Sequence, residues 1–364
     1  MRTIICSVAI LASLFFSAAQ AAQTRSITDG YGRTVAIPEK VERVICSGPG
    51  CLRLLVYLQA QGLAVAVDDI EGKRSSFDAR PYALANPQLK ALPVFGQFRG
   101  QDNPERILTL PKAPQVILKT SPEMGMNPQE LERKTGIPVV ALNYGDLGKK
   151  RQDFYAALRI MAQVVHRQER AEALIRYFDA HIAELGRRAA AVPEAKRPSA
   201  FVGGVALKGP HGFSSTEPSY PPFLFLNARN VAAMPGAPGV VSVAKEKILD
   251  WNPDHIFLDL STLQLGEGAG GLHELKSDPA YKSLSAVRQG RVYGVLPYNW
   301  YAQNFGSILA DAYYVGKVLY PAQFKDVNPE AKADEIYTFL VGKPVCKEMD
   351  ASFRNMAFKP VGLR

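Results

Sequence analysis

The organisation of the chain is decided by residues 149–191, which read KKRQDFYAALRIMAQVVHRQERAEALIRYFDAHIAELGRRAAA. This stretch has no proline, and its one glycine, Gly186, lies near its end. Apolar residues recur in it at helical spacing: Leu158, Met161, Ala162 and Val165, and then Ala171, Leu174, Ile175 and Phe178. The pattern predicts one long helix, or two helices in sequence, that joins two halves of the protein.

On both sides of this stretch, short β-type runs alternate with helical segments. Strands are predicted at 41–46, 63–67, 115–119 and 138–142, and again at 200–207, 255–260 and 291–296. Strands separated by helices favour parallel sheets with helices on their faces. The predicted fold class is therefore α/β, with two α/β lobes built on central parallel sheets and joined by one long α-helix. The predicted boundaries are a signal peptide at 1–21, an N-terminal lobe at 22–150, a connecting helix at 151–192 and a C-terminal lobe at 193–364.

The first residues are typical of a secretory signal peptide. Arg2 is followed by an apolar run at 4–16 and by the small-x-small sequence Ala19-Gln20-Ala21. The run is short for a membrane-spanning helix, although an uncleaved anchor is the alternative. Cys6 lies inside the run and not at the cleavage point, which disfavours a lipoprotein. We therefore expect an exported, periplasmic protein.

The composition is that of a folded protein with a basic balance. The 364 residues include 43 Lys and Arg against 34 Asp and Glu, a formal charge of +9, and 47% are hydrophobic. These values exclude wholesale disorder, a collagen, a coiled coil and a small disulfide scaffold.

Three cysteines remain after export. Cys46 and Cys51 flank the turn-forming sequence Ser-Gly-Pro-Gly, so they are candidates for a disulfide, and two small buried thiols are the alternative. Neither a CxxC pair nor a cluster of the five histidines provides the ligands of a bare metal ion. The sequence therefore favours a complexed metal as ligand and no intrinsic cofactor.

Two segments echo each other across the halves. ERILTLPKAPQVIL at 105–118 and EKILDWNPDHIFL at 246–258 both place an acid and a base at a helix start, then Ile-Leu, a proline turn and a buried strand. The echo predicts that both halves share one plan, although any helix–turn–strand unit has some of these features.

The opening sequence ITDGYGRTVAIP at 27–38, followed by VERVI at 41–45, adds a distinctive motif. Together with the two Glu units, it resembles the periplasmic substrate-binding proteins of ABC importers for iron complexes and cobalamin. The resemblance covers essentially the whole mature chain, and it is not specific for the ligand. It implies a ligand cleft between the lobes and only a small closure, because the connecting helix is stiff.

The resemblance also implies two docking residues. Glu105 and Glu246 occupy the positions at which this family meets basic residues of the permease, one on each lobe. Two separated carboxylates give an electrostatic register that favours orientation and association rate. Acids in the first turn of a helix also complement its dipole, which is the alternative role. The implied partners are an ABC permease dimer with its ATPase and a small-molecule metal complex; we expect a monomer that binds no nucleic acid.

Ligand-binding residues are sought in the loops that follow the strands. The candidates are basic and aromatic: Arg74, Arg80, Arg99, Lys119, Lys208, His211, Tyr298, Trp300 and Tyr301. The resemblance places Trp300 where family members hold an aromatic against the ligand. Guanidinium and ammonium groups bind anionic oxygens, and rings stack on flat ligand faces, so this set suits an anionic chelate. For each residue, a solvated surface charge or core packing is the alternative.

The predicted function is therefore capture of a ferric siderophore and its delivery to an importer. Cobalamin, haem or an oxyanion such as molybdate are alternatives of the same class, and a non-transport periplasmic metal-binding or sensor protein is another. A Ser-His-Asp set can be drawn from Ser214 or Ser215, His211 and Asp259, but no Gly-x-Ser-x-Gly elbow exists. We therefore predict that the protein is not an enzyme.

Overall fold

The computed structural model describes residues 23–73, 77–234, 236–237 and 239–363. The predicted signal peptide and Arg74 lie outside the described residues. Within the described ranges, no helix combines the length and the apolar character that a membrane span requires.

The strands are short, and most of the central ones are buried along their whole length. They are β1 (Thr24–Thr28), β2 (Thr34–Pro38), β3 (Val44–Ser47), β4 (Ala64–Asp68), β5 (Val94–Gln97), β6 (Gln101–Asp102), β7 (Val116–Thr120), β8 (Val139–Leu142), β9 (Ser199–Gly203), β10 (Ser215–Thr216), β11 (Arg229–Asn230), β12 (Val241–Ser242), β13 (His255–Asp259) and β14 (Val292–Val295).

Helices lie between most of these strands and after the last. They are α1 (Cys51–Tyr57), α2 (Pro81–Ala85), α3 (Pro104–Leu108), α4 (Pro128–Thr135), α5 (Arg151–Val165), α6 (Gln168–Ala190), α7 (Pro221–Phe225), α8 (Lys245–Trp251), α9 (Gly270–Ser277), α10 (Pro279–Lys282), α11 (Ser285–Arg288), α12 (Phe305–Leu319), α13 (Pro329–Val341) and α14 (Cys346–Ser352). Short 3-10 segments add Gln61–Leu63, Pro87–Ala91, Glu194–Lys196 and Leu260–Leu265.

The first half forms a six-stranded sheet with the order β6-β5-β4-β3-β7-β8. All neighbours are parallel except β6, which pairs antiparallel with β5 at the edge. The central strands read VICS and VILKT and are buried throughout, as is typical of a parallel sheet covered on both faces. The opening motif at 27–38 lies in the β1–β2 hairpin, outside this sheet.

The second half forms a four-stranded parallel sheet with the order β11-β9-β13-β14. The two echoed segments occupy matching places in the two sheets. Helix α3 precedes β7, which lies between β3 and β8, and helix α8 precedes β13, which lies between β9 and β14. The prediction of a shared plan, and of an α/β fold with parallel sheets, is confirmed.

The central stretch folds as two helices, α5 and α6, so the predicted single helix over 151–192 is wrong and the alternative of two helices in sequence is the one observed. The chain turns at His166, whose φ is 52°, and α6 runs back along α5. Across the pair, the Tyr155 hydroxyl donates to Asp179 at 2.7 Å, and the rings of Phe154 and Phe178 lie 5.3 Å apart. The 23-residue α6 then contacts α7 and α12 of the second half. The exact lobe boundaries, including the limit of the connecting segment at 192, stay a prediction.

A single apolar cluster extends through both halves. It includes Val44 and Leu118 from the first sheet and Val202 and Phe257 from the second. Helix α13, near the C-terminus, also contacts α1 and α2 of the first half. Because a close-packed interior resists rearrangement, this shared core opposes a wide hinge motion. It supports the prediction of a small closure.

Candidate functional site

A cavity of about 490 Å³ opens between the two sheets. Its walls come from the segments that follow the carboxyl ends of β3, β4, β5 and β7 on one side and of β9, β13 and β14 on the other. In open α/β sheets, ligands bind at this edge of the strands. The lining residues are Pro49, Ile70, Phe98, Arg99, Ser121, Met124, Ala206, Leu207, Lys208, Gly209, Gln264, Asn299, Trp300, Tyr301 and Ala302.

Two exposed cations face this cavity from opposite halves. Arg99 follows β5, and its guanidinium lies 5.0 Å from the centre of the Phe98 ring. Lys208 follows β9, and its carbonyl oxygen lies 3.5 Å from Nη2 of Arg99. Both side chains are exposed, so their charges are available to an anionic ligand that enters the cleft.

Aromatic side chains supply most of the flat surface. Phe98 and Tyr301 meet across the halves, with ring centroids 6.2 Å apart. Trp300 is half-buried, and its ring packs edge-on against Phe353 at 6.0 Å. The cavity thus combines positive charge with planar apolar walls.

The loop that carries Trp300 and Tyr301 belongs to the second half but is bound to the first by Arg53. The Arg53 guanidinium is fully buried and donates to three carbonyl oxygens of the loop: Trp300 at 3.0 Å, Tyr301 at 3.1 Å and Gln303 at 2.9 Å. It also donates to the hydroxyl of Tyr144. Sequence reasoning missed this residue, although a lone arginine within the apolar helix CLRLLVY was an available signal.

A second hydrogen-bonded contact across the cleft connects Tyr301 to Asp68 at the end of β4. The Tyr301 hydroxyl donates to Oδ2 of Asp68 and accepts from the backbone N–H of Arg99 at 3.3 Å. The pKa of Asp68 is raised to about 7, mainly by burial; the Tyr301 hydrogen bond opposes this rise, and the neighbouring acids Glu71 and Asp69 contribute to it. Tyr301 is therefore held in place before any ligand arrives.

The backbone around the cavity is unusual. Among the described residues, twelve non-glycine residues have positive φ, and five of these line the cavity: Arg99, Ser121, Lys208, Tyr301 and Ala302. Such conformations cost free energy and cluster at functional sites. Left-handed residues beside right-handed ones also direct successive N–H groups into concavities that attract anions.

Arg80 and Lys119, two of the predicted ligand residues, form buried ion pairs and do not line the cavity. Arg80 contacts Asp78 at 2.9 Å and Glu71 at 3.1 Å. Lys119 is fully buried; its ammonium lies 2.6 Å from Asp102. Their charges are balanced within the protein, so the structure gives them a stabilising role in place of the predicted one.

The remaining predicted residues divide in two. Arg99, Lys208, Trp300 and Tyr301 line the cavity, whereas Tyr298 is buried against Tyr220, with ring centroids 5.6 Å apart. The exposed His211 ring bonds the carbonyl of Leu207 at 2.9 Å and lies outside the lining.

Several cavity residues were not predicted. Phe98, Ser121, Met124, Gln264 and Asn299 are uncharged and follow strand ends or a short helical turn. Asn299 is fixed by donating to the carbonyl of Ala206 at 2.7 Å. The only sequence signal that indicated these residues as ligand-binding candidates was their position after strands.

The thiols and the hypothetical triad also have defined places. Among the described residues, Cys46, Cys51 and Cys346 are free and buried, which is the second of the two alternatives for the cysteines. His211 bonds Leu207, and Asp259 accepts from the N–H of Ser261 at 2.9 Å, so the two do not form a relay. In the same described part of the chain, no group of three or more His, Cys, Asp or Glu could hold a metal ion.

Residues 82–298 match the family described as periplasmic binding protein. The molybdate-binding protein MolA of Haemophilus influenzae is 24% identical over 354 residues, which cover 90% of this chain and 93% of that protein. The solved structure of MolA bound to molybdate, the cognate periplasmic binding protein of an ABC transporter, has a TM-score of 0.66 at 21% identity, covering 88% of this chain and 98% of MolA.

Two further solved structures share the fold. A periplasmic solute binding protein from Veillonella parvula has a TM-score of 0.68 at 19% identity, covering 92% of this chain and 97% of that one. The periplasmic haem-binding protein HutB of Vibrio cholerae has a TM-score of 0.56 at 19% identity, covering 77% of this chain and 99% of HutB.

Proposed function

Since this chain belongs to the family of periplasmic binding proteins, we propose that it captures a ferric siderophore and delivers it to the permease of an ABC importer. The observation that carries the proposal is the lining of the cleft. Two exposed cations, Arg99 and Lys208, stand beside three aromatic rings in a cavity of about 490 Å³. That combination suits an anionic chelate, whose oxygens meet the cations and whose flat faces meet the rings.

The size of the cavity supports a chelate over a lone ion. Its volume lies within the range of pockets for organic ligands, roughly 300–1,000 Å³. A tetrahedral oxyanion would fill a small part of this space and would leave the cavity-facing surfaces of Phe98 and Trp300 without ligand contact. A chelate with organic arms fills it and buries both rings.

Molybdate is the second candidate. Its support is the similarity to MolA along nearly the whole chain. Ser121, Tyr301 and Ala302, which line the cavity, also have the left-handed backbone that is one element of the N–H concavities that hold small anions. In this alternative the aromatic walls would serve packing alone.

Delivery to a permease is supported by Glu105 and Glu246. Both are exposed and lie in the first turn of α3 and of α8, one in each half. We expect Glu105→Gln and Glu246→Gln to reduce ligand transport in proteoliposomes that contain the permease and ATPase, with ligand affinity unchanged. Glu169→Gln, in the first turn of α6, is a matched control that should transport normally.

The test of the ligand class is calorimetric titration of the mature protein. The panel contains ferric hydroxamate, catecholate and citrate complexes, haem, cobalamin and molybdate. The proposal predicts micromolar or tighter binding of a ferric chelate and none of molybdate. Binding of molybdate alone would replace it with the second candidate, and silence across the panel would refute both.

A further inference from the structure

A second cavity, of about 580 Å³, adjoins the main one. Asn299 and Ala302 line both cavities, so the two adjoin the same loop. The turn at 144–150, after β8, forms one wall of the second cavity. The segment at 217–224, which includes the start of α7, forms the other.

Glu217 is the buried charged group in this second cavity. Its side chain lines the wall, and only 7% of the residue is exposed. Within the described part of the chain, Oε2 of Glu217 has no hydrogen-bond partner. Buried polar atoms in folded proteins are almost always bonded, so an unpartnered carboxyl oxygen at a cavity wall indicates a missing donor.

The surroundings of Glu217 define what kind of donor is missing. Burial, with smaller contributions from the nearby carboxylates of Asp146 and Asp259, raises the pKa of Glu217 to about 8. Nearby, the hydroxyl oxygen of Tyr220 is also buried without a partner in the described residues. The cations of this cavity, Lys149 and Lys150, are exposed, so solvent screens them. Without a partner, Glu217 is therefore mostly protonated at pH 7, and a positively charged donor is the partner that favours its ionised form.

We propose that the Glu217 cavity is a second subsite of the ligand cleft, which takes an alkylammonium group. This proposal rests on the proposed function: the ammonium group ends an arm of a chelate whose metal centre occupies the main cavity. The ammonium N–H donates to the Glu217 carboxylate. Glu217 is ionised in this pair, and its proton passes to solvent, so the charge balances.

The first test uses an ammonium probe without any chelate. We expect 1-aminopentane, as its ammonium ion, to bind the wild-type protein with a dissociation constant on the order of millimolar, as befits six non-hydrogen atoms. Saturation-transfer NMR measures this binding, and 1-pentanol is the neutral match, expected to bind about tenfold more weakly or worse. Glu217→Gln should abolish the preference, whereas Glu194→Gln, an exposed control, should keep it. Equal binding of amine and alcohol, or an unchanged preference in Glu217→Gln, would overturn the subsite.

The second test compares a charged and a neutral form of the same chelate. Ferrioxamine B carries a free ammonium arm, and its N-acetyl derivative has the same iron centre without that charge. We expect the wild type to bind ferrioxamine B about tenfold more tightly or better. Glu217→Gln should bind both equally, at the wild-type affinity for the acetylated compound, which also shows that the variant is folded.

The outcomes separate the two proposals. Binding of the ammonium probe, with no binding of these two chelates or of any other ferric chelate in the panel, would refute siderophore capture and keep the ammonium subsite. Equal binding of both chelates by the wild type would keep siderophore capture and overturn the subsite.

Discussion

The substitution Arg53→Lys tests whether the loop at 298–304 is fixed in advance of the ligand. The buried guanidinium holds three loop carbonyls at 2.9–3.1 Å, those of Trp300, Tyr301 and Gln303. A lysine ammonium lacks the planar fork that spans three acceptors, so at least one carbonyl loses its donor. A hydrogen bond to a charged group contributes about 1.5–3 kcal/mol, and we expect the free energy of unfolding to fall by about that amount.

The same change should weaken ligand binding. With the loop released, binding must order the side chains of Trp300 and Tyr301, at about 0.5–1.5 kcal/mol each. Together they cost about 1–3 kcal/mol, which corresponds to a roughly 5- to 150-fold weaker affinity. Urea unfolding measures the first effect, and calorimetric titration with the ligand found in the panel measures the second.

The matched control is Arg159→Lys. Arg159 is an exposed arginine that pairs with Glu172 on the surface, so its loss should change stability by less than about 0.5 kcal/mol and leave affinity unchanged. If Arg53→Lys behaves like this control in both assays, the loop does not depend on Arg53 and the reasoning is wrong.

Three further predictions concern buried charges. Lys119→Met should lower the free energy of unfolding by about 3–5 kcal/mol in urea, because it leaves the buried Asp102 carboxylate unpaired; a double variant with Asp102→Leu should recover most of the loss, and no recovery would argue against the pair. Burial raises the pKa of Asp259 to about 7, well above its value in the unfolded chain, so its stabilising contribution is present at low pH and is lost as the pH rises from about 4 to 7. Asp259→Asn should therefore flatten the pH dependence of the unfolding free energy between pH 5 and 7, and an unchanged slope would contradict the assignment. Tyr301→Phe removes the hydroxyl that donates to Asp68, so we expect a loss of about 1–3 kcal/mol in urea unfolding at pH 8, shrinking at pH 5 where Asp68 is protonated; the same loss at both values would contradict this.

The fold was largely predictable because its signals are local and repeated. Alternating strands and helices indicate parallel sheets, and the Pro-free stretch at 149–191 indicates helix without showing where it turns. The break at His166 has neither glycine nor proline to mark it. It depends on the packing of α5 against α6, which brings together residues that a single helix would keep far apart.

The site was predictable only in part, because loop position does not distinguish a free charge from a paired one. Arg99 and Lys208 were predicted as ligand-binding residues because they lie in loops that follow strands. Lys119 also follows that rule, but its partner Asp102 approaches from a separate strand, which the sequence does not show. Arg80 had a local signal in Asp78, two residues away. Arg53 acts through carbonyl oxygens about 250 residues later in the chain, and no local pattern encodes such a contact.

Tryptophan fluorescence during titration with the ferric chelates tests most directly whether the ligand binds in the cleft. The protein has two tryptophans: Trp300 lines the cleft, and Trp251 lies in α8, packed against Phe201 at 6.3 Å. We expect saturable quenching in the wild type and in Trp251→Phe, and its loss in Trp300→Phe. Quenching that survives in Trp300→Phe and disappears in Trp251→Phe would place the ligand outside the cleft and contradict the account.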